Sequence, residues 1–206
     1  MAEPLPDLVS KLQNRINELR RAEDLALLLV AAESAADEIE RRAGECSDHA
    51  AREALRAVKR FTYNASADCW PGWSVPKSSP DTYVLERALR LAERSAGLVK
   101  RLGLGPLQEG TGVWLCGAHE LALGRHKDAH RAFRLAREHY IVAQAPGLVL
   151  LAEGYITIVF QVAGDQVPAS DSDLEQVCER LSAGGFKDGA EWIEQLRTAQ
   201  QVFTSR

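Results

Sequence analysis

Histidines and cysteines are the residues of this chain from which a metal site or a nucleophile would be built. His126 and His130 stand one helical turn apart with Asp128 between them, but no third ligand follows at a suitable spacing. His119 begins a segment like the helix of a zinc protease, yet Leu123 stands where the second histidine is required. We therefore predict solvated surface histidines and no metal site.

Other reactive patterns are equally incomplete. The four cysteines are separated by 23, 47 and 62 residues, so none forms a close pair, and we expect reduced cysteines that pack as small apolar residues. Catalysis by Cys69 or Cys116 with a distant histidine rests on residue types alone. The stretch from Gly105 to Gly110 has the spacing of a phosphate-binding loop, but Thr111 replaces its lysine. We predict no enzyme and no cofactor, and keep as the weakest alternative an enzyme whose site is assembled from scattered residues.

Composition and charge narrow the class of protein. The 206 residues are 46% apolar and 26% charged with a net charge of −4. This composition is typical of a globular protein, and the negative net charge argues against nucleic-acid binding. The basic stripe of Lys127, Arg131 and Arg134 has no interleaved aromatic residues, so we interpret it as a solvated helix face. The beginning of the chain does not resemble a signal peptide, and the longest apolar stretch, residues 25–32, is too short to span a bilayer. We expect a cytoplasmic protein without a membrane partner.

The elements that would position these residues are helices. Asp7 can cap a first helix that continues to Gly44, so residues 1–45 are predicted as one long N-terminal helix. Its middle, residues 25–32, is apolar on every side, which indicates either deep core or a homodimer contact. The first half carries a regular apolar face formed by Leu8, Leu12, Ile16 and Leu19.

The rest of the chain predicts shorter helices. Residues 69–80 contain three prolines and two tryptophans and must be a loop. The β-branched run 155–160 could be a strand by propensity, but no second candidate strand exists to pair with it, so we predict a buried helix. The predicted helices cover 48–67, 81–102, 107–123, 126–142, 147–162, 173–182 and 187–203.

One segment, from about residue 110 to residue 144, resembles the tetratricopeptide repeat family. Gly117 stands where two helices of a hairpin would cross closely, and Gly124 can end the first helix in a left-handed conformation. Ala129 is the small residue facing the crossing, and Phe133 and Ala136 would fill the groove toward a following hairpin. A fainter repetition starts at residue 184. The match departs from the family pattern at Glu120 and Ile141, and residues 1–45 have no counterpart in it.

The resemblance implies one all-α domain over residues 1–206, with antiparallel helical hairpins stacked as a right-handed array over 81–206. Family members bind partners in a groove lined by the first helix of each hairpin. In this chain two readings of that groove are open: the protein fills it itself, with the N-terminal helix as the plug, or it accepts an apolar face of a partner helix or an apolar small molecule. The groove residues would be Trp114, Leu115, Ala118, Leu121 and Ala122.

We therefore predict a non-catalytic protein–protein interaction scaffold that binds a protein or peptide of unknown identity. The alternative is a helical protein that binds an apolar small molecule or a partner helix in an internal groove. A second candidate contact is the loop with Trp70 and Trp73, which is either a lid packed on the core or an exposed contact loop.

Overall fold

The computed structural model describes residues 3–22, 24–74, 80–164 and 173–205, and among these residues there is no strand. The prediction of an all-α fold is confirmed. A single turn of 3-10 helix, Pro71–Trp73, lies between the third and fourth helices. The helices are α1 (Leu5–Arg21), α2 (Leu25–Ala43), α3 (Asp48–Ala67), α4 (Thr82–Leu102), α5 (Pro106–Ala122), α6 (His126–Val142), α7 (Pro146–Ala163), α8 (Leu174–Ala183) and α9 (Gly189–Thr204).

The N-terminal region corrects the prediction of one long helix over residues 1–45. The chain forms two helices there, because Asp24 caps α2 by accepting a hydrogen bond from the backbone N–H of Leu27 at 3.0 Å. The helix α1 packs against both α2 and α3. Asp7, predicted as a cap, lies inside the first turn of α1, and Pro4 occupies the cap position.

From residue 48 onward the predicted helices agree with the structure to within two residues at each described end. Asp81 caps α4 by accepting a hydrogen bond from the Val84 N–H at 2.8 Å. Gly103 and Gly124 have φ angles of 62° and 73°, the left-handed conformation in which glycine ends a helix most easily. The run 155–160 is helical within α7, as predicted.

Close packing of α5 on α6 depends on glycine. A Cβ atom at Gly117 would lie 3.0 Å from the Cβ of Ala132 and 3.1 Å from the ring of Phe133, and one at Gly110 would lie 2.7 Å from the ring of Tyr140. The two helices therefore approach more closely than a larger side chain would allow, and they run antiparallel. The predicted crossing at Gly117 is confirmed, although Ala132 rather than Ala129 meets the glycine.

Buried apolar side chains form two clusters. One is built mainly from α1 to α4, and the other mainly from α5 to α9 together with Trp70; α4 contributes to both. The helix α7 crosses the second cluster and carries Tyr155 and Ile158, which have no solvent exposure. It is also the one described helix long and apolar enough to cross a membrane by length and composition, but 61% of that span is buried inside the protein. A core helix passes the same test.

Candidate interaction surface

The residues predicted to line a partner groove all lie on α5, and none is more than 8% exposed. Trp70 contacts two of them: its indole N–H donates to the carbonyl oxygen of Ala118 at 3.0 Å, and its ring centroid lies 5.5 Å from that of Trp114. Phe203 of α9 packs in the same cluster. The turn after α3, through Trp70, therefore packs on this face of α5, whereas the N-terminal helix considered as the plug packs on α2 and α3. The groove residues are Trp114, Leu115, Ala118, Leu121 and Ala122.

The two tryptophans of the 3-10 turn have different environments. Trp70 is 2% exposed and belongs to the core, whereas the side chain of Trp73 is at the surface and 45% of the residue is exposed. The Trp73 indole N–H donates to the carbonyl oxygen of Ala67 at 2.6 Å. Beside Trp73 is an open concavity of about 510 Å³, bordered by the ion pair between Arg20 and Asp68. Its apolar lining comes from Leu19, Leu25, Leu28 and Trp73.

A serine and a histidine meet in the interior, but they cannot act as a catalytic pair. The hydroxyl of Ser66 donates its only proton to the carbonyl oxygen of Ala88 at 2.8 Å. The contact of 2.9 Å between Ser66 Oγ and His119 Nε2 is therefore a hydrogen bond donated by the imidazole. Because both residues are fully buried and His119 cannot accept the serine proton, the pair joins α3, α4 and α5 as a structural contact.

Burial also makes the candidate cysteine nucleophiles unreactive. It raises the pKa of the Cys69 and Cys116 thiols to about 12, so the reactive thiolate is scarce at neutral pH. His130 was expected on the surface but is only 7% exposed, and burial lowers its pKa. Over residues 3–22, 24–74, 80–164 and 173–205, no three histidine, cysteine or acidic side chains lie together as metal ligands would.

The exposed sides of α2, α4 and α6 lie next to one another, and we call them the outer layer. On one flank of α4, Arg94 donates to Asp37 and Glu40 of α2 at 2.7 Å each. On its other flank, Glu86 pairs with Arg125 at the start of α6. The helix α4 is therefore the middle one of the three.

The three helices of the outer layer run in the same direction. Arg87 of α4 pairs with Glu33 of α2, and the later Arg94 pairs with the later Glu40, so α2 and α4 are parallel. The helix α5 runs back along α4, because its Gly112 lies against Ala96 and the residues after its end reach the beginning of α4. The helix α6 reverses again against α5 and is therefore parallel to α4.

Large apolar side chains are exposed at two places in this layer. One group is at the beginning of α2 and α4, and the other is in the second half of α6, where Val142 is 71% exposed. Apolar groups that water contacts to this extent are typical of contact surfaces when they cluster. The groups are Leu27, Val30 and Tyr83 in the first place and Leu135, Ile141 and Val142 in the second.

Charges of opposite sign accompany the two apolar groups. The first half of α6 exposes Lys127, Arg131 and Arg134; in the part of the chain that the structure describes, Lys127 and Arg134 have no ion pair, while Arg131 contacts Asp128 at 2.5 Å. The second half of α2 presents Asp37 and Glu38 beside two arginines, Arg41 and Arg42. Arg41 pairs with Glu38 and with Glu45, which follows the end of the helix, and Asp37 pairs with Arg94 of α4. The predicted basic helix face is thus confirmed as solvent-exposed, and it continues into an apolar surface.

The apolar end of α6 extends into a shallow concavity of about 340 Å³ where α6 joins α7. Ile141, Pro146 and Val149 form part of its lining, and Arg180 of α8 stands at its edge. The guanidinium of Arg180 is held by Glu153 at 2.9 Å, which fixes the edge of the concavity.

Sequence reasoning missed this surface because it located the binding residues on α5, and it interpreted the α6 face only by its charges. The signal that was available is the pair Ile141 and Val142. These apolar residues follow the basic stripe at positions where the helical period continues the exposed face. No protein-family model, curated protein or solved structure matches the chain.

Proposed function

We propose that this chain is a non-catalytic protein–protein interaction scaffold whose contact surface is the outer layer of α2, α4 and α6. The observation that supports it most directly is the group of large apolar side chains that this layer leaves in water. Such a group has a free-energy cost unless a partner covers it, and the flanking charges would orient that partner. The apolar end of α6, with Val142 and the adjoining concavity, is the anchor we expect to contribute most.

The proposal includes a tetratricopeptide-like arrangement of the hairpins and a cytoplasmic location. The close approach of α5 and α6 at Gly117 and the left-handed Gly124 support the first. All four cysteines are free thiols, which is consistent with a reducing compartment and supports the second.

The test is position-specific photo-crosslinking in the source cells. A photoreactive amino acid would replace Val142 or Leu27 in the outer layer, or Gln201 on the exposed side of α9 as the control. We expect a defined protein adduct from the first two positions and none from the third. Equal adducts from all three positions, or none from the outer layer, would contradict the proposed surface.

A second candidate function is binding of an apolar small molecule, supported by the open concavity beside the half-exposed Trp73. The probe would be anilinonaphthalene sulfonate, a fluorescent apolar anion. If this site binds apolar ligands, Trp73→Leu should weaken dye binding severalfold, whereas Tyr83→Leu, which removes an exposed aromatic ring elsewhere, should not. Equal dye binding by the two variants would eliminate this candidate.

A further inference from the structure

The outer layer carries the same pattern twice, in opposite directions. Along α2 the exposed face begins apolar, with Leu27 and Val30, and its second half carries three carboxylates and two arginines, with Asp37 and Glu38 at the start of that half. Along α6 the exposed face begins basic and becomes apolar, with Ile141 and Val142. Because α2 and α6 are parallel within one chain, a second copy turned end to end would place apolar against apolar and acidic against basic.

The spacing of the two patterns also agrees. The middle of the apolar pair on α2 is about nine residues from Asp37 and Glu38, which at 1.5 Å per residue is about 14 Å. On α6, the middle of the basic residues is about nine residues from the middle of the apolar group, or about 13 Å. One antiparallel alignment of α2 with α6 of another copy therefore satisfies both contacts at once.

The middle helix fits the same alignment. If α4 lies antiparallel to α4 of the second copy about its midpoint, near residue 92, Arg90 faces Glu93 of the other copy, and this contact occurs twice. Both side chains are directed to solvent, and among the described residues the carboxylate paired with Arg90 is that of Glu33, at 3.8 Å. Gly97, also on the exposed side, has no atom within 4 Å of where a Cβ would stand, so its backbone is accessible to the opposing helix.

From this match we infer that the partner of the outer layer is a second copy of this chain, in a dimer whose two-fold axis passes near the middle of α4. The inference rests on the interaction role proposed above and names its partner. Each dimer would contain two contacts between α2 and α6 and one between the two α4 helices. A two-fold arrangement is closed, so association would stop at the dimer.

The area of the layer is sufficient for such a dimer. Three exposed helix faces, each about 27 Å long and about 9 Å wide, amount to roughly 700 Å² on each copy. The total of about 1,400 Å² falls within the range of stable, specific interfaces. The charged half of each α2–α6 contact predicts association that weakens as salt is added.

One residue opposes the contact and gives a sensitive test. Glu138 lies among the exposed apolar residues of α6 and would face the apolar part of α2, where its carboxylate would lose water without gaining a partner. Replacing it with glutamine should tighten the dimer severalfold. Val142→Glu adds a second such charge and should weaken the dimer roughly tenfold or more.

The experiment is sedimentation velocity of the full chain over a wide range of concentrations, with circular dichroism to confirm that each variant is folded. We expect a reversible monomer–dimer equilibrium that Val142→Glu disrupts and the control Gln201→Glu leaves unchanged. Arg131→Glu and Glu38→Lys should each weaken it. An equimolar mixture of these two variants should dimerise like the unmodified chain, because each reversed charge then faces its complement.

Three results would overturn the inference: a monomer at every concentration, open-ended larger species, or no recovery in the mixture. If the chain is monomeric but crosslinks from Val142 and Leu27 reach a different protein, the second-copy inference fails and the proposed function stands. If those crosslinks are also absent, both fail. Under the inference, the crosslinked product has the mass of two copies.

Discussion

Lowering the pH should destabilise this protein over a pH range that the pKa of His119 determines. The imidazole is fully buried, its Nε2 is bonded to Ser66, and within the described part of the chain its Nδ1 has no hydrogen-bond partner. A second proton would have to go to Nδ1, where it would create a buried cation with no acceptor. Burial therefore lowers the pKa of His119 from 6.5 to about 4 in the folded chain.

The sign and size of the effect follow from proton linkage. Between pH 6.5 and about pH 4 the unfolded histidine binds a proton that the folded one does not, so the free energy of unfolding falls as the pH falls. At about 1.4 kcal/mol per pH unit over about 2.5 units, the loss approaches 3 kcal/mol at pH 4. This is a large fraction of the roughly 5–15 kcal/mol that stabilises a typical domain.

The measurement is urea unfolding, followed by circular dichroism, at several pH values from 7 to 4, for the unmodified chain and for His119→Leu. Leucine keeps the volume apolar and leaves the Ser66 hydroxyl bonded to the Ala88 carbonyl, so the variant retains the fold but lacks the titrating group. Carboxylates titrate in both proteins, and the difference between the two curves isolates the histidine. That difference should grow by about 3 kcal/mol toward pH 4; curves that stay parallel would refute the assignment.

Three further predictions use other parts of the structure, and all are read from urea unfolding or thiol labelling. Gly154→Ala should lower the free energy of unfolding by roughly 1–3 kcal/mol, because its Cβ would lie 2.6 Å from a leucine of α9. Its control, Gly97→Ala, places a Cβ in open space on α4 and should raise that free energy by roughly 0.5–1 kcal/mol. Equal effects of the two substitutions would contradict the packing. Arg94→Ala removes a partly buried arginine from two carboxylates of α2 and should lower the free energy of unfolding by about 1 kcal/mol, and by less in high salt. Arg90 is more exposed, so Arg90→Ala should lower it by less than about 0.5 kcal/mol in the monomer. A thiol reagent should label the exposed Cys46 rapidly in the native chain and the buried Cys69 and Cys178 only after unfolding. Rapid labelling of Cys69 or Cys178 would mean that its burial assignment is wrong.

Helix positions after residue 47 could be predicted because several independent signals coincide there. Asp81 is a cap residue before an apolar period, and Gly103 and Gly124 follow the ends of apolar periods. The break in the N-terminal region was missed because residues 25–32 are apolar on every side and conceal the change of helix. Asp24, directly before the apolar run, was a visible signal of a second helix start that the prediction did not use.

The candidate site was less predictable, because exposure depends on which helices cover one another. The apolar groove residues on α5 were taken from the family resemblance, and only the structure shows that they are buried and that Trp70 packs on Trp114 and Ala118. Conversely, Leu27 and Val30 belong to the run that was predicted as deep core or a homodimer contact. In the structure this run divides into a buried side and an exposed side, so the helix period within the run decides which of its residues a partner can reach.

We propose interaction rather than catalysis because of where the fold places each kind of group. A reactive group has to meet its substrate, yet His119, Ser66 and Cys69 lie in the core, with a bonded hydroxyl, an imidazole that resists protonation and a thiol that resists ionisation. Apolar groups are normally the first to be covered, yet Val142 and Leu27 are left in water beside charges of opposite sign. Covering them with a second surface would lower the free energy, because these side chains are unfavourably exposed to water in the isolated chain. A variant with polar residues at Val142 and Leu27 should therefore have a free energy of unfolding at least as large as that of the unmodified chain when both are monomers. Any stability that it gains as a monomer should be absent when the chains are assembled.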